Sequence, residues 1–305
     1  MKKIRSNPYL LLTLASLFWA GNFVLSKAIS TDVRPVTLAF GRWLLAFLFV
    51  LPFAYASLKK DRQQLIRQWK VLLPISLLGI TAFNTMIYIG LQSTTAINSL
   101  LLQSFFPVVI PALAFVFFRE KLTLPQVLGI LVSLAGTLWL LSQGDINLLL
   151  SATFNPGDLW VFAAIILYAG YALLLRFRPA VHPLSFLATT IGMGVIMLLP
   201  FWVGELYYYP MTALTYELGF SFLYLAIFPS FVAYLFFNEA VGMIGATTAG
   251  LFSHLVPTFG SIMAIIFLGE EFRSYHAWGI LLILVGIAIV ISRRRKQPSA
   301  KRRAY

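Results

Sequence analysis

Ten runs of mostly apolar residues, separated by short polar gaps, constrain the fold of this chain more than any other feature of its sequence. A bilayer crossing needs about 20 such residues in a helix, because a helix satisfies its own backbone hydrogen bonds where no water is available. The chain is 60% hydrophobic and 11% charged, and a water-soluble fold could not bury that much apolar surface. We therefore predict an all-α integral membrane protein with ten transmembrane helices, at residues 9–28, 36–56, 71–91, 97–118, 124–142, 157–176, 184–204, 218–241, 246–268 and 275–292.

The Lys and Arg residues predict the orientation of these helices, since short loops rich in both remain in the cytoplasm. Three of the 23 basic residues, Lys27, Arg34 and Arg273, fall on one side, and Arg42 falls inside the second run. The other 19 fall on the opposite side, which predicts a multi-pass protein of the bacterial inner membrane with both termini cytoplasmic. They are Lys2, Lys3, Arg5, Lys59, Lys60, Arg62, Arg67, Lys70, Arg119, Lys121, Arg176, Arg178, Arg293, Arg294, Arg295, Lys296, Lys301, Arg302 and Arg303.

This distribution of charge also bears on partners and on processing. Basic residues confined to short loops and termini are typical of membrane topology rather than of nucleic-acid binding. We therefore expect a lipid bilayer as partner and no nucleic acid. The first apolar run behind a basic start could also be read as a secretory signal, but its removal would leave the sixth run without a counterpart.

An internal duplication relates the two halves of the chain. With a shift of 150 residues, positions 107–142 match positions 257–292 without a gap, with ten identities in 36 positions, more than an apolar composition gives by chance. Because five helices per copy is an odd number, the second copy must enter the membrane from the opposite side. We predict two inverted five-helix repeats around a central cavity, at residues 1–148 and 149–292, followed by a basic cytoplasmic tail at 293–305. The aligned pairs include Pro107 and Pro257, Glu120 and Glu270, Gly129 and Gly279, and Gly136 and Gly286.

Several short motifs resemble the EamA-type branch of the drug/metabolite transporter superfamily. They are LFWAGNF at 17–23, FGRWLLA at 40–46, REKLT at 119–123 before Gly129 and Gly136, and GEEF at 269–272 before Gly279 and Gly286. Arg119 departs from the family pattern, which usually has Gly there. The resemblance covers nearly the whole chain and implies a ten-helix, cavity-centred transporter that exports amino acids or other small metabolites. It does not identify the substrate.

Polar and aromatic side chains deep inside the runs are candidates for a substrate path, because polar groups are costly to bury in lipid. Spacings of three or four residues place two side chains on one helical face, and such pairs recur in both halves. Ordinary helix packing and interhelical hydrogen bonding are the alternative roles. Aromatic lining would suit a flat, amphipathic solute. The predicted substrate-binding residues are Trp19 and Asn22, Asn84 and Tyr88, Ser99 and Gln103, Tyr168 and Tyr171, Tyr234 and Asn238, and His254.

Three ionisable residues and two prolines have further predicted roles. His254 and Glu239 are the candidates for proton coupling, although His254 could equally be a neutral hydrogen-bonding residue between helices. Arg42, about two turns into the second run, is predicted to snorkel or to pair structurally rather than to meet substrate. Pro107 and Pro257 remove backbone donors inside their runs and are predicted hinges.

Other functional classes fit the sequence less well. An embedded enzyme needs a convergent set of nucleophile, base or metal ligands, but the chain has no Cys and its three His residues lie in different segments. The Gly-rich phosphate loop of an ATP-driven pump is also missing. We predict a non-enzymatic secondary transporter with a small-molecule substrate and no metal or other cofactor. Proton-coupled antiport, uniport and a non-transporting membrane subunit remain alternatives, and the oligomeric state is not predicted.

Overall fold

The computed structural model describes residues 7–29, 32–151, 153–209, 215–268 and 271–294, and the regular secondary structure of these ranges is helical throughout. Nine helices within them are long and apolar enough to cross a membrane. Residues 246–268 form a further crossing in three helical segments, Ala246–Leu251, Phe252–His254 and Leu255–Leu268. The prediction of an all-α membrane protein with ten helices is confirmed. Predicted features at Lys2, Lys3, Arg5, Gly269, Glu270 and the tail beyond Arg294 lie outside the described residues.

In chain order the crossings are α1 (Pro8–Ala28), α2 (Pro35–Arg67), α3 (Trp69–Ser93), α4 (Asn98–Phe118), α5 (Leu124–Leu141), α6 (Pro156–Phe177), α7 (Pro183–Tyr208), α8 (Tyr216–Ile244), α9 (residues 246–268) and α10 (Ser274–Ser292). A short helix at Ile146–Leu150 connects α5 to α6. Proline is the first residue of α1, α2, α6 and α7. Its missing N–H costs nothing there, because the first N–H groups of a helix have no intrahelical acceptor.

Helix α2 is longer than predicted. We expected the second crossing to end near residue 56, but the helix continues to Arg67. The apolar stretch ends near residue 56, whereas residues 57–67 contain no Gly or Pro and consist mostly of good helix formers. Lys59, Lys60 and Arg62 therefore lie on a helical extension instead of in a loop.

Helices α5 and α10 pack closely through four glycines. A Cβ atom on Gly129 would lie 2.6 Å from the carbonyl oxygen of Gly286, and one on Gly136 would lie 2.8 Å from that of Gly279. Along α5, Gly129 comes before Gly136, whereas along α10 the partner of Gly129 comes after the partner of Gly136. Helices α5 and α10 are therefore antiparallel. The shift of 150 residues converts one contact into the other, as a two-fold axis in the membrane plane requires. The fold thus consists of two inverted five-helix repeats, while the boundary at residues 148 and 149 stays a prediction.

Helical irregularities repeat in the two halves as well. Helix α3 contains a π-helical segment at Leu77–Ala82, and α8 contains one at Ala226–Val232. Helix α4 is interrupted at residues 104–105, and α9 is interrupted by the 3-10 turn at Phe252–His254. Pro107 and Pro257 lie in the first turn after their interruptions. Their role as hinges stays a prediction, but such irregular turns are often found at functional sites.

Two buried or half-buried carboxylates connect neighbouring helices at the predicted outer face. Asp158 of α6 accepts hydrogen bonds from the Thr94 hydroxyl and, at 3.1 Å, from the Asn98 amide. Glu205 of α7 accepts a backbone hydrogen bond from Thr37 at 2.7 Å, at the start of α2. A carboxylate is favoured at a helix N-terminus, where backbone N–H groups are unpaired. Both carboxylates are thus occupied by contacts between helices.

Candidate functional site

A central cavity is lined by residues from seven of the ten crossings, α1, α2, α3, α4, α6, α8 and α9. The volume open to the centres of water molecules is about 60 Å³, well below the roughly 300–1,000 Å³ of a typical small-molecule pocket. A solute with more than a few heavy atoms therefore requires the surrounding helices to move apart. The lining residues are Trp19, Asn22, Phe23, Arg42, Phe83, Asn84, Ile87, Leu100, Gln103, Ser104, Phe106, Ile165, Tyr168, Tyr234, Ser253, Val256 and Pro257.

Arg42 brings a positive charge to this cavity. The residue is only 1% exposed, so the prediction that it snorkels to the membrane surface is wrong. Its Nη1 atom donates to Oδ1 of Asn22 at 2.9 Å, to Oδ1 of Asn84 at 3.1 Å and to the Tyr88 hydroxyl. Its Nε atom donates to the hydroxyl of Ser230, within the π-helical segment of α8. Four neutral acceptors from three helices, α1, α3 and α8, hold the charge in this buried position.

Residues at equivalent positions in the two halves meet at the cavity. The ring centroids of Trp19 and Tyr168, 149 positions apart, are separated by 6.0 Å in an edge-to-face arrangement. The Asn84 side-chain amide donates to the Tyr234 hydroxyl at 3.3 Å, and these positions are 150 apart. The two-fold axis that relates the halves therefore passes close to the cavity.

An aromatic layer continues from the cavity towards the predicted cytoplasmic ends of α6 and α8. The Tyr168 ring is 5.1 Å from the Tyr171 ring, and the Trp19 ring is 5.3 Å from the Phe237 ring, measured between centroids. The Tyr171 hydroxyl donates to Oδ1 of Asn238 at 2.5 Å. Tyr171 and Asn238 are 1% and 3% exposed and do not line the cavity, so the space between the cavity and the predicted cytoplasmic ends is filled by packed side chains.

His254 lies behind the cavity wall rather than on it. Its Nε2 atom is 2.8 Å from the carbonyl oxygen of Ser104, and its Nδ1 atom is 2.7 Å from the Ser133 hydroxyl. Because a carbonyl oxygen can only accept, Nε2 carries a proton. Ser104 is again the position 150 residues earlier, so the interruptions of α4 and α9 are hydrogen-bonded to each other. This geometry agrees with the hydrogen-bonding role that we considered for His254 and does not place it on a substrate path.

Glu239 lies on the predicted cytoplasmic side, away from the cavity. It is 8% exposed, and the neighbouring Asn238 accepts a hydrogen bond from Nη1 of Arg178 at its backbone oxygen, at 2.6 Å. Burial lowers the pKa of the Arg178 guanidinium, and the Tyr171 and Glu239 side chains oppose this effect. Glu239 therefore belongs to the charged surroundings of Arg178 and is not in contact with the cavity.

The structure brings together part of the predicted site. The predicted residues that line the cavity are Trp19, Asn22, Asn84, Gln103, Tyr168, Tyr234 and Pro257. The predicted residues that do not line it are Tyr88, Ser99, Tyr171, Asn238, His254, Glu239 and Pro107. Tyr88 still contributes indirectly, because it is bonded to Arg42. Whether the lining residues bind substrate stays a prediction.

Sequence reasoning missed several lining residues, of which Arg42 is the most important. Its signal was available, because it lies well inside a predicted crossing, whereas Lys27 and Arg176 lie at the ends of theirs. Phe83, Phe106 and Leu100 also line the cavity. Apolar residues like these cannot be distinguished in the sequence from those that face lipid, since both types occur throughout the runs.

Known proteins resemble this chain in sequence and in fold. The model of the EamA-like transporter family matches residues 6–142 and again residues 155–292. The uncharacterized transporter YyaM of Bacillus subtilis is 27% identical over 284 residues, which cover 92% of both chains. The uncharacterized transporter YetK of the same organism is 27% identical over 291 residues, or 94% of this chain and 87% of YetK. An uncharacterized transporter of Methanothermobacter thermautotrophicus is 25% identical over 297 residues, or 92% of this chain and 85% of the relative.

A solved crystal structure of a protein shares the fold. It superposes with a TM-score of 0.74 at 18% sequence identity and covers 94% of this chain and 98% of its own. At this level of identity the similarity concerns the fold alone.

Proposed function

The chain belongs to the EamA-like transporter family, and from this premise we propose that it exports small amphipathic metabolites, amino acids and related solutes among them, by alternating access. The observation that carries the proposal is the central cavity, where equivalent residues of two inverted repeats meet. Two halves of this kind can exchange conformations, and the exchange opens the site to each side in turn. The small volume of the cavity fits a closed or contracted state in such a cycle.

Helix α4 and helix α9 provide the flexibility that this mechanism needs. Both are interrupted beside the cavity, and Ser104 and Pro257 at these interruptions line it. Changes in backbone dihedrals at a few such positions can move a helix half as a unit. The aromatic layer of Tyr168, Tyr171 and Phe237 would separate on the predicted cytoplasmic side to admit substrate.

Counterflow in proteoliposomes tests transport directly. Vesicles loaded with an unlabelled solute should accumulate the labelled solute transiently, whereas protein-free vesicles should not. We expect Trp19→Ala to abolish counterflow, because Trp19 lines the cavity. Trp278→Ala is the matched control, since Trp278 is 59% exposed on α10. Equal counterflow in both variants would show that transport does not depend on Trp19. No counterflow of any amphipathic metabolite with the unaltered protein would contradict the proposal.

We favour uniport over proton antiport as the energetic mode. Both ring nitrogens of His254 are within hydrogen-bond distance of Ser133 and Ser104, and Glu239 does not line the cavity. Repeating the counterflow and uptake measurements with an imposed pH gradient distinguishes the two modes. Accumulation of solute driven by the pH gradient would favour the antiporter.

For the orientation, we propose a bacterial inner-membrane location with both termini in the cytoplasm. The chain contains no Cys, so a single cysteine can be introduced for labelling without first replacing native cysteines. Lys60→Cys and Ser151→Cys are both at exposed positions, on opposite predicted sides. An impermeant maleimide should label only the second variant in cells whose outer membrane alone is permeable to the reagent, and labelling of the first would reverse the topology.

A further inference from the structure

The charge of Arg42 is buried at the cavity without a carboxylate partner. Its hydrogen bonds among the described residues involve Nε and Nη1, with Asn22, Asn84, Tyr88 and Ser230 as neutral acceptors. Arg42 takes part in neither of the ion pairs that join Arg176 to Glu120 and Arg273 to Glu271. A buried cation is stabilised most by an anion in contact with it.

The guanidinium also retains capacity for a ligand. Nη1 has two hydrogens but three acceptors within reach, and Nη2 has no partner among the described residues. The two oxygens of a carboxylate could therefore bind the guanidinium together. One would bind Nη2, and the other would replace one of the three acceptors at Nη1. Arginine favours such two-point contacts with carboxylates, because its planar fork matches their geometry.

Other polar groups in the cavity wall point to the same chemistry. The Nε2 atom of Gln103 and the Oγ atom of Ser253 are buried and have no hydrogen-bond partner among the described residues. An amide NH₂ can only donate, and a hydroxyl can donate. Both residues line the same cavity as Arg42. Together they offer a cation and unused donors, which complement an anion that carries several acceptor oxygens.

The cavity offers much less to a positively charged group. No Asp or Glu is among the residues that line it in the described part of the chain. The Oδ1 atoms of Asn22 and Asn84 are already occupied by Arg42. An ammonium group would therefore lose its hydration without gaining a carboxylate partner.

The rest of the wall is apolar and aromatic. Phe83, Phe106, Ile87, Leu100 and Val256 line it together with Trp19 and Tyr168. Such a wall suits the hydrocarbon or aryl part of an amphipathic solute. A single cation balances a single negative charge, which favours a monocarboxylate over a phosphate dianion.

We infer that the cavity binds amphipathic monocarboxylate anions, with Arg42 as the group that recognises the carboxylate, and that an α-amino group on the solute is not required. This inference rests on the proposed transport function and narrows its solutes. Organic acids with an apolar body are then expected to be substrates as well as amino acids. Arg42 thereby sets the charge of the solute, and the aromatic wall sets its size and shape.

A matched series of four ligands tests the inference. 3-Phenylpropionate carries only the carboxylate, phenylalanine carries both groups, phenethylamine carries only the amine, and 3-phenylpropanol carries neither. Calorimetric titration of the purified, unaltered protein should show that 3-phenylpropionate binds at least as tightly as phenylalanine. Both should bind roughly ten- to a hundredfold more tightly than the other two, the difference expected for hydrogen bonds to a charged group. Counterflow of the same four compounds in proteoliposomes reports transport separately.

Variants at Arg42 test whether this residue causes the preference for ligands that carry a carboxylate. Arg42→Gln should abolish the advantage of the carboxylates, and Arg42→Lys should retain part of it, because Lys keeps the charge without the planar fork. Arg273→Gln is the control, since the Arg273 side chain is 65% exposed and paired with Glu271. If Arg42→Gln does not fold, the ranking of the four ligands on the unaltered protein decides the question alone.

The outcomes separate this inference from the proposed function. Phenethylamine binding as tightly as 3-phenylpropionate, or carboxylate binding unchanged in folded Arg42→Gln, overturns the inference while transport can stand. Carboxylate binding with no counterflow supports the anion site and contradicts the transport proposal. No binding of either carboxylate overturns the inference.

Discussion

At the residue scale, two buried side chains that can carry charge differ in what they face. Arg42 faces the cavity, and its neutral partners leave part of the guanidinium available. His254 is 0% exposed, and its two ring nitrogens connect Ser104 of α4 with Ser133 of α5. An intramembrane ionisable residue is a functional candidate by default, but here the contacts assign one residue to the cavity and the other to the helix interfaces behind it.

Removal of the His254 imidazole should therefore reduce stability rather than change the energetics of transport. In His254→Ala, the Ser104 carbonyl loses this buried partner, and the Ser133 hydroxyl keeps only the Ile130 carbonyl oxygen, at 3.1 Å. We expect a loss of roughly 1–3 kcal/mol, measured as a lower midpoint of thermal unfolding in detergent. His254→Gln, which can still donate and accept, should recover part of the loss.

The same variants test proton coupling. Solute flux in proteoliposomes, normalised to the amount of folded protein, should respond to a pH gradient in the same way in the unaltered protein and in the His254 variants. If the unaltered protein couples flux to the gradient and His254→Ala is uncoupled at unchanged stability, the structural role that we assign to His254 is wrong.

At this scale, seven of the 17 described residues that line the cavity were among the predicted site residues. Trp19, Asn22, Asn84 and Tyr234 were identifiable because polar and aromatic types at helical spacing are rare inside apolar runs. Arg42 was predicted either to snorkel to the membrane surface or to pair structurally, because its distance from the helix end permits both. Only the three-dimensional positions of its acceptors on α1, α3 and α8 reveal why it stays buried.

At the scale of helices, the interface of α5 and α10 depends on the absence of side chains. Association of helices in lipid relies on close van der Waals packing, which small residues permit. Gly136 is the most informative position, since a Cβ atom there would lie 2.7 Å from Cβ of Leu282 and 2.8 Å from the Gly279 carbonyl oxygen. Backbone atoms cannot move aside as a flexible side chain would.

We expect Gly136→Ala to destabilise the protein by about 1–3 kcal/mol, the usual cost of overpacking. Gly219→Ala in α8 is the control, because nothing lies within 4 Å of a Cβ atom at that position. There the substitution should be neutral or slightly stabilising, as alanine restricts the unfolded chain more than glycine does. Thermal unfolding of both variants in the same detergent measures the difference, and equal midpoints would refute the packing argument.

Helix positions were well predicted, but helix ends and irregularities were not. Hydropathy marks where a chain lies in lipid, and α2 continues as a helix to Arg67 after its apolar stretch ends. The prolines of α4 and α9 indicated interruptions, which the structure contains. The π-helical segments at Leu77–Ala82 and Ala226–Val232 were not predicted. The first accepts a tertiary hydrogen bond from Tyr234 at the Gly79 carbonyl, at 2.7 Å, and the second contains Pro229, which removes a backbone donor.

At the scale of the whole molecule, the inverted duplication was predictable from the shift of 150 residues, but the asymmetry of the cavity was not. Gly192 stands 150 positions after Arg42, so one half supplies a cation without an equivalent in the other. The two halves of the fold are related by an approximate two-fold axis, while the cavity between them carries the charge of Arg42. This combination has an energetic consequence for the direction of transport.

A uniporter that carries a monocarboxylate moves one negative charge per cycle, because the protein itself returns to its starting state. With the cell interior negative, the membrane potential favours outward movement of an anion by about 2.3 kcal/mol per 100 mV. Export of such a solute therefore needs no titrating residue in the path, in agreement with the positions of His254 and Glu239. A zwitterion, which has no net charge, gains nothing from the potential.

Imposed potassium diffusion potentials in proteoliposomes with valinomycin measure this effect. The equilibrium ratio of 3-phenylpropionate between inside and outside should change roughly tenfold for each 59 mV, and that of phenylalanine should stay constant. Protein-free vesicles correct for passage of the protonated acid through lipid, and folded Arg42→Gln should show no more flux than they do. A 3-phenylpropionate distribution that is indifferent to the potential but follows the pH gradient would mean that a proton crosses with each anion, and uniport would be wrong.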